Sequence, residues 1–138
     1  MLWKTSLNLD VVNDLMKGTL GETLGIKFTE FGDDYLVATM PVDQRTVQPF
    51  GSLHGGASVA LAETIGSYAS NMCVDVTQHK CVGLDINANH IKAVKQPSMV
   101  KGIGKALHIG RKTHVWEIKI YNETDELVCV SRLTVAII

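Results

Sequence analysis

The feature that most constrains the fold is an apolar segment at residues 56–73, GASVALAETIGSYASNMC. Small or apolar side chains occupy nearly every side of this segment at helical spacing, which is typical of a helix buried all round. The segments before and after it carry the alternating pattern of β-strands. The sequence therefore predicts an α+β fold in which a long, curved antiparallel sheet wraps one central helix.

The remaining elements follow from local patterns. A short helix is predicted after a possible cap at Asn8, with apolar residues at helical spacing and a stop at Gly18. The predicted strands are residues 26–31, 35–42, 81–91, 99–109, 113–121 and 127–138. The first two should pair as a hairpin and the last four as an antiparallel meander. Because no repeat or linker is visible, residues 1–138 are expected to form a single domain.

Composition limits the partners. The formal net charge of −1 provides no field that would attract nucleic acid or an anionic membrane surface. With 46% hydrophobic residues, a chain of 138 residues is expected to bury apolar surface between subunits. Residues 1–6 lack the apolar run of a secretory signal, so the cytoplasm is the expected location.

Neither cysteines nor histidines indicate a metal site. The three cysteines form no CxxC pair and lie in apolar segments, so buried free thiols are predicted at Cys73, Cys81 and Cys129. The five histidines show no HExxH or comparable ligand spacing. No metal is expected.

The segment QPFGSLHGG, residues 48–56, leads directly into the central helix. The amides of Gly55 and Gly56, reinforced by the helix dipole, are suited to polarising a carbonyl oxygen, which is half of an acyl-transfer site. Gln48 and His54 bring neutral hydrogen-bond donors beside them. A glycine turn needed only for packing is the alternative for the glycine pair.

Glu63 is the most informative single residue, because a carboxylate in a buried helix requires a partner or a role. The neighbours expected to be buried are Ala60, Leu61, Ala62 and Ile65. The alternative is an exposed stripe of small polar side chains, Ser58, Thr64, Ser67 and Ser70. Ser67 lies one turn after Glu63, where its hydroxyl could orient the carboxylate or a water molecule, or simply pack tightly.

Helix geometry predicts that the site is shared between subunits. Gly55 and Glu63 are eight residues apart, which is about 12 Å along a helix. One thioester cannot touch both within one chain. A two-fold dimer with antiparallel central helices would bring Glu63 of one chain near Gly55, His54 and Gln48 of the other.

Three segments, QPFGSLHGGASVALAE, VGLDINANHIKAV and VSRLTVAII, resemble the hotdog-fold thioesterases, and the resemblance extends from Leu2 to the end. Within that superfamily the chain most resembles the branch that hydrolyses 1,4-dihydroxy-2-naphthoyl-CoA in menaquinone synthesis, close to aryl-CoA and phenylacetate-pathway thioesterases. The resemblance implies hydrolysis of an acyl-CoA, with an aromatic acyl group expected. It also implies that Glu63 is the nucleophile or general base, that Gly55, Gln48 and His54 bind the thioester oxygen, and that Ser67 assists.

The resemblance further implies a dimer, usually doubled to a tetramer, with CoA lying across the subunit boundary and no cofactor apart from the CoA of the substrate. The implied CoA contacts are Gly83, His90, Ile91, Lys92, Ala93, His108, Ile109, Gly110, Arg111, Lys112 and Thr113. Lys92 stands where many relatives carry arginine, which makes this contact a point charge rather than a fork. Independently, four basic residues beside turns indicate a phosphate site or a merely solvated surface: Lys92, Lys95, Arg111 and Lys112.

Two other functions stay open. A hotdog hydratase or dehydratase would share the architecture and could use His54 with Glu63 as an acid/base pair. The proline-rich loop and the longer His-to-Glu separation of the dehydratases are absent. A noncatalytic acyl-CoA binding module would keep the cleft without turnover, although no regulatory segment is appended.

Overall fold

The computed structural model describes residues 2–138, and these form three helices and six strands. In chain order they are α1 (Leu9–Asp14), α2 (Leu20–Leu24), β1 (Lys27–Phe31), β2 (Tyr35–Val42), α3 (Gly55–Met72), β3 (Cys81–His90), β4 (Ser98–Ile109), β5 (Thr113–Tyr121) and β6 (Leu127–Ile137). The strands make one sheet in the order β1-β2-β4-β5-β6-β3, and every neighbouring pair is antiparallel. The predicted α+β architecture is confirmed.

The core lies between α3 and the inner face of the sheet. Alternate residues of the central strands point inward and are fully buried, as the alternation of Trp116, Ile118 and Ile120 predicted. The helix approaches the sheet closely because Ile65 lies over Gly102 and Gly104 of β4. A Cβ at Gly102 would stand 2.6 Å from Ile65 Cδ1, so a side chain there would force Ile65 to shift.

The ends of α3 differ slightly from the predicted 56–73. His54 has extended backbone angles and its Nδ1 accepts a hydrogen bond from the Gly56 amide at 2.8 Å, so the helix begins at Gly55 and ends at Met72. The earlier helix is confirmed with Asn8 as its cap, but it ends at Asp14, before Gly18. The five-residue α2 has no predicted counterpart, because it is too short to show helical periodicity.

The position of β3 corrects the predicted meander. Of the four strands after α3, only β4, β5 and β6 pair consecutively. Strand β3 pairs with β6 instead of β4, because β4 already has β2 and β5 on its two sides. As a result β3 forms one edge of the sheet, and β1 forms the other.

The cysteines are free thiols, with Cys73 and Cys129 buried and Cys81 half-buried. Burial raises the pKa of the Cys73 thiol to about 11, so this residue is an unreactive part of the core. Within residues 2–138, no helix combines the length and the apolar character needed to cross a membrane.

Candidate active site

The amino-terminal end of α3 presents one available amide rather than two. The Gly56 amide donates to His54 Nδ1, which corrects the expectation that both glycine amides are unpaired. The Gly55 amide donates to no group in residues 2–138. The ring of His90, on β3, lies over Gly55, since a Cβ there would stand 2.8 Å from His90 Nε2. Glycine thus leaves the Gly55 amide accessible at the positive end of the helix dipole.

Gln48 lies beside that amide in a loop that its own side chain helps to hold. Its Oε1 accepts from the Phe50 amide at 2.6 Å, so its side-chain NH₂ remains available as a donor. Gln48 and Gly55 border a cavity of about 300 Å³, here called the amide cavity. Its lining residues are Gln48, Ser52, Leu53, Gly55, Ser58, His90, Ile91, Lys92, Ala93 and Val128. Six of these ten were predicted site residues.

Among the lining residues, sequence reasoning missed Ser52, Ser58 and Val128. Ser58 was considered only as part of an exposed stripe, yet it is 1% exposed. Ser58 follows the buried Ala57 and lies one turn after His54, so the predicted helix register could have placed it here. The positions of Ser52 and Val128 depend on long-range packing, such as the bridge between Ser52 and Lys95, which has no local signal in the sequence.

Glu63 lies elsewhere, in a cavity of about 240 Å³ here called the carboxylate cavity. Its lining residues are Met16, Thr19, Leu20, Gly21, Glu63, Thr64, Ser67 and Tyr68. Within the single chain Glu63 is half-exposed, as is Ala60, so the expectation of full burial is wrong at this level. Its carboxylate forms no hydrogen bond or ion pair within residues 2–138.

Gly83 explains how the carboxylate reaches the sheet edge. A Cβ at this position of β3 would stand 3.0 Å from Glu63 Oε2, so the missing side chain lets the carboxylate approach the strand. Gly83 therefore lies beside Glu63, where the resemblance had implied a CoA contact. Ser67 shares the cavity but its hydroxyl makes no hydrogen bond to Glu63.

His54 is exposed and borders a third cavity, of about 300 Å³, between α2 and α3. Because its Nδ1 accepts from the Gly56 amide, a neutral His54 carries its hydrogen on Nε2 and can donate from there. In one chain, however, His54 does not line the amide cavity with Gln48. The three predicted donors are close in sequence, but Gln48 and Gly55 border the amide cavity whereas His54 borders the third cavity.

The predicted CoA contacts are split between the two ends of α3. Ile109, Gly110 and Arg111 border a cavity of about 410 Å³ that also includes Cys73, at the carboxyl-terminal end of the helix. His108 and Lys112 are exposed on the same turn, and the Thr113 carbonyl accepts from the Gly110 amide at 2.9 Å. Because the 18-residue helix α3 is about 27 Å long, the two groups of predicted CoA contacts lie far apart within one chain.

The basic residues therefore form no single cluster within the chain. Arg111 and Lys112 lie at one end of α3, whereas Lys92 borders the amide cavity at the other. Lys92 Nζ also forms an ion pair with Glu126 Oε2 at 2.9 Å. This ion pair, with hydrogen bonds from Asn122 and Thr124, lowers the pKa of Glu126 to about 2. A phosphate at Lys92 would have to compete with that carboxylate.

Comparison with known proteins identifies the class. The family model of the thioesterase superfamily matches residues 50–129. The chain is 50% identical over 138 residues to a 1,4-dihydroxy-2-naphthoyl-CoA hydrolase of Escherichia coli K12, covering all of both chains. It is 51% identical to the proofreading thioesterase EntH of Cronobacter turicensis, covering 99% of this chain and 98% of that one.

Solved structures agree. A crystal structure of a mutant of the thioesterase PA1618 from Pseudomonas aeruginosa matches with a TM-score of 0.98 and 46% identity, covering 100% of this chain and 99% of that one. The thioesterase HI1161 from Haemophilus influenzae matches with a TM-score of 0.96 and 48% identity, covering 100% and 95%. The chain belongs to the thioesterase superfamily and is a thioester hydrolase with the hotdog fold, as the sequence predicted.

Proposed function

We propose that this protein hydrolyses an aromatic acyl-CoA to the free acid and CoA, with Glu63 as its catalytic carboxylate. The observation that carries the proposal is the environment of the Glu63 carboxylate. It is a half-exposed carboxylate beside a cavity, with no partner in residues 2–138, and it lies on the helix that begins at the available Gly55 amide. Carboxylates left unpaired in such a place are candidates for acid/base or nucleophilic work.

The chemistry requires donors for the carbonyl oxygen and a base or nucleophile for the carbonyl carbon. The Gly55 amide, the Gln48 NH₂ and His54 Nε2–H are suited to stabilise the oxyanion that develops on the thioester. Glu63 either attacks the carbonyl carbon and expels CoA thiolate, leaving an anhydride that water cleaves, or removes a proton from an attacking water. Ser67 would orient that water. Both routes yield one acid and one thiol.

The two halves of the site would meet in a dimer. Strand β3 is ten residues long, lies at the sheet edge and exposes Val82 (43%) and Leu84 (63%). An unpaired edge of this length favours pairing with a second strand. If two β3 strands pair about a two-fold axis, the α3 helices become antiparallel, and Glu63 of one subunit approaches Gly55 of the partner subunit. A doubling of this dimer to a tetramer is part of the proposal.

The same dimer would unite the separated CoA contacts. With antiparallel helices, the carboxyl-terminal end of one α3 faces the amino-terminal end of the other. The turn that carries Arg111 and Lys112 in one subunit would then lie near Lys92 of the partner subunit. Neither Arg111 nor Lys112 forms an ion pair in residues 2–138, so both charges are available for phosphate.

The E. coli relative that bears the name 1,4-dihydroxy-2-naphthoyl-CoA hydrolase supports an aromatic acyl group. A role in menaquinone synthesis and a cytoplasmic location are further parts of the proposal. The proofreading thioesterase relatives support the same thioester chemistry in another setting. The chain is about equally identical to the two groups of relatives. The substrate that it prefers therefore decides which pathway it serves.

The experiment is a thiol-release screen over aryl, short-chain and long-chain acyl-CoAs. We expect the highest kcat/KM for an aryl-CoA, including 1,4-dihydroxy-2-naphthoyl-CoA. Absorbance change of an enoyl-CoA without thiol release would indicate the hydratase instead. Tight binding of acyl-CoA with no thiol release from any substrate would indicate a noncatalytic module.

A further inference from the structure

Charge distinguishes the amide cavity from the carboxylate cavity. The amide cavity is lined by one basic residue, Lys92, whereas the lining of the carboxylate cavity includes the carboxylate of Glu63 and no basic residue. The phosphate groups of CoA are negatively charged, so Glu63 disfavours their entry into its own cavity. A thioester whose carbonyl lies at Glu63 would therefore direct its CoA out of the carboxylate cavity and its acyl group into it.

One wall of the carboxylate cavity comes from the α1–α2 connection and the first turn of α2. Its members are Met16, Thr19, Leu20 and Gly21. Asn13 fixes this wall to β1, because its side chain donates to the Phe28 carbonyl at 2.9 Å and accepts from the Phe28 amide at 2.8 Å. The Phe28 ring packs in turn against Tyr68, on the wall that α3 supplies, with centroids 5.1 Å apart. Strand β1 thus holds both walls in place.

Met16 bounds the cavity with the end of a buried side chain. It is 3% exposed and belongs to the hydrophobic core, so packed neighbours surround the thioether on the sides away from the cavity. A Cβ at Gly21 would overlap Met16 Cε and stand 2.8 Å from Sδ. The missing side chain of Gly21 therefore lets the end of Met16 lie against α2 and leaves the space beside Glu63 open.

We propose that the end of the Met16 side chain closes the acyl pocket and sets the greatest length of acyl group that the protein hydrolyses, with Gly21 determining where that end lies. This inference rests on the proposed function, since it requires the acyl group to enter the carboxylate cavity. It concerns length and applies to aryl and straight-chain acyl groups alike. Met16 and Gly21 determine specificity and take no part in the chemical step.

The test measures thiol release from two series of substrates, para-alkylbenzoyl-CoAs and straight-chain acyl-CoAs, each of increasing length. In the wild-type protein kcat/KM should hold or rise up to a limiting length. Beyond that length it should fall by about tenfold or more for each added methylene, because an apolar pocket of fixed size excludes the extra group.

Two variants should move the limit in opposite directions. Met16→Ala removes Cγ, Sδ and Cε, so the first length that the wild type excludes should gain about tenfold in kcat/KM. Gly21→Ala should push the thioether into the cavity, so the longest length that the wild type accepts should lose about tenfold. The shortest substrate should stay within about twofold in both variants, because it does not reach Met16.

Folding and packing controls accompany the two variants. Gly21 lies in α2 without a positive φ angle, so alanine fits its backbone and favours the helix. Gly21→Ala therefore decides the matter alone if Met16→Ala does not fold. The matched control is Met99→Ala, because Met99 is 41% exposed on β4 and does not line the cavity. Its limiting length should equal that of the wild type.

The outcomes separate this inference from the proposed function. If thiol is released but the wild type shows no limiting length, Met16 does not close the pocket, while the proposed function stands. The same conclusion follows if the limit stays in place in Gly21→Ala, or if both variants move it in the same direction. If no acyl-CoA releases thiol in the wild-type protein, the proposed function itself fails and this inference fails with it.

Discussion

Two polar side chains of the central helix, Glu63 and Ser70, lie seven residues apart and have opposite surroundings. Ser70 is fully buried against β5, where it accepts from Trp116 Nε1 at 2.7 Å and lies 3.1 Å from His114 Nδ1. Glu63 is half-exposed beside the sheet edge and has no partner in residues 2–138. The contrast supports a structural role for Ser70, whose hydrogen bonds are satisfied, and the catalytic role proposed for Glu63, whose hydrogen bonds are left open.

Several contacts hold the residues around Ser70 in place. Trp3 stacks on Trp116 with ring centroids 6.3 Å apart, and Trp3 Nε1 donates to the Gly32 carbonyl at 2.7 Å. Since Trp116 donates to Ser70, the Ser70 hydroxyl hydrogen can in turn donate to a neutral His114. This network of buried side chains fixes the end of α3 on the sheet. No comparable network holds the carboxylate of Glu63.

The largest expected effect is on catalysis by Glu63→Gln. The amide keeps the shape but can neither attack nor accept a proton, so kcat should fall by about a thousandfold or more. The free energy of unfolding should change by no more than about 0.5 kcal/mol, because no bond is lost. Thiol release and urea unfolding measure the two. Glu117→Gln, on β5, is the matched control and should retain activity; near-normal kcat in Glu63→Gln would remove Glu63 from the mechanism.

Ser70→Ala should show the reverse pattern. It leaves the buried Trp116 N–H without its acceptor, which costs about 1 to 3 kcal/mol of stability, while kcat/KM stays within about twofold of wild type. Ser67→Ala, one turn earlier and half-exposed, is the matched comparison and should lower kcat with little change in stability. A stable but inactive Ser70→Ala variant would contradict the division between the two regions.

A smaller effect is expected from pH. Burial, followed by the nearby charge of His108, lowers the pKa of His114 below its usual 6.5, with the Gly110 carbonyl opposing in part. The unfolded chain therefore binds more protons than the folded chain just below pH 6.5, and the free energy of unfolding should decrease as pH falls through that window. Urea unfolding between pH 5 and 8 measures this.

The four other histidines are exposed, so they provide the control for that prediction. His79→Gln should keep the loss of stability at low pH, whereas His114→Gln should weaken it. An equal pH dependence in all three proteins would mean that another group is responsible.

The features that the sequence predicted correctly are those that depend on local residue patterns. The apolar helix, the alternation in β5, the Asn8 cap and the HGG entrance to α3 all depend on neighbouring residues, and each is confirmed within a residue or two. The alternative of an exposed polar stripe fails at Ser58 and Ser70, which are buried, whereas Thr64 and Ser67 are half-exposed beside Glu63.

Nonlocal features could not be predicted in the same way. Strand β3 carries the same alternation as β5 yet exposes Val82 and Leu84, because sheet order, rather than local pattern, decides which strand lies at an edge. The division of the site into an amide cavity and a carboxylate cavity likewise depends on packing. The expected full burial of Glu63 assumed neighbours on every side, whereas one chain supplies them on only part of the helix surface.

The central claim is that each active site takes Glu63 from one subunit and Gly55, Gln48 and His54 from the other. Its most direct test co-refolds a Glu63→Gln chain with a chain that carries Gln48→Ala and His54→Ala. Each mixed dimer would contain one intact site and one doubly damaged site, so equal mixing should restore roughly a quarter of wild-type thiol release. No recovery, despite demonstrated subunit exchange, would show that one chain supplies all the catalytic residues.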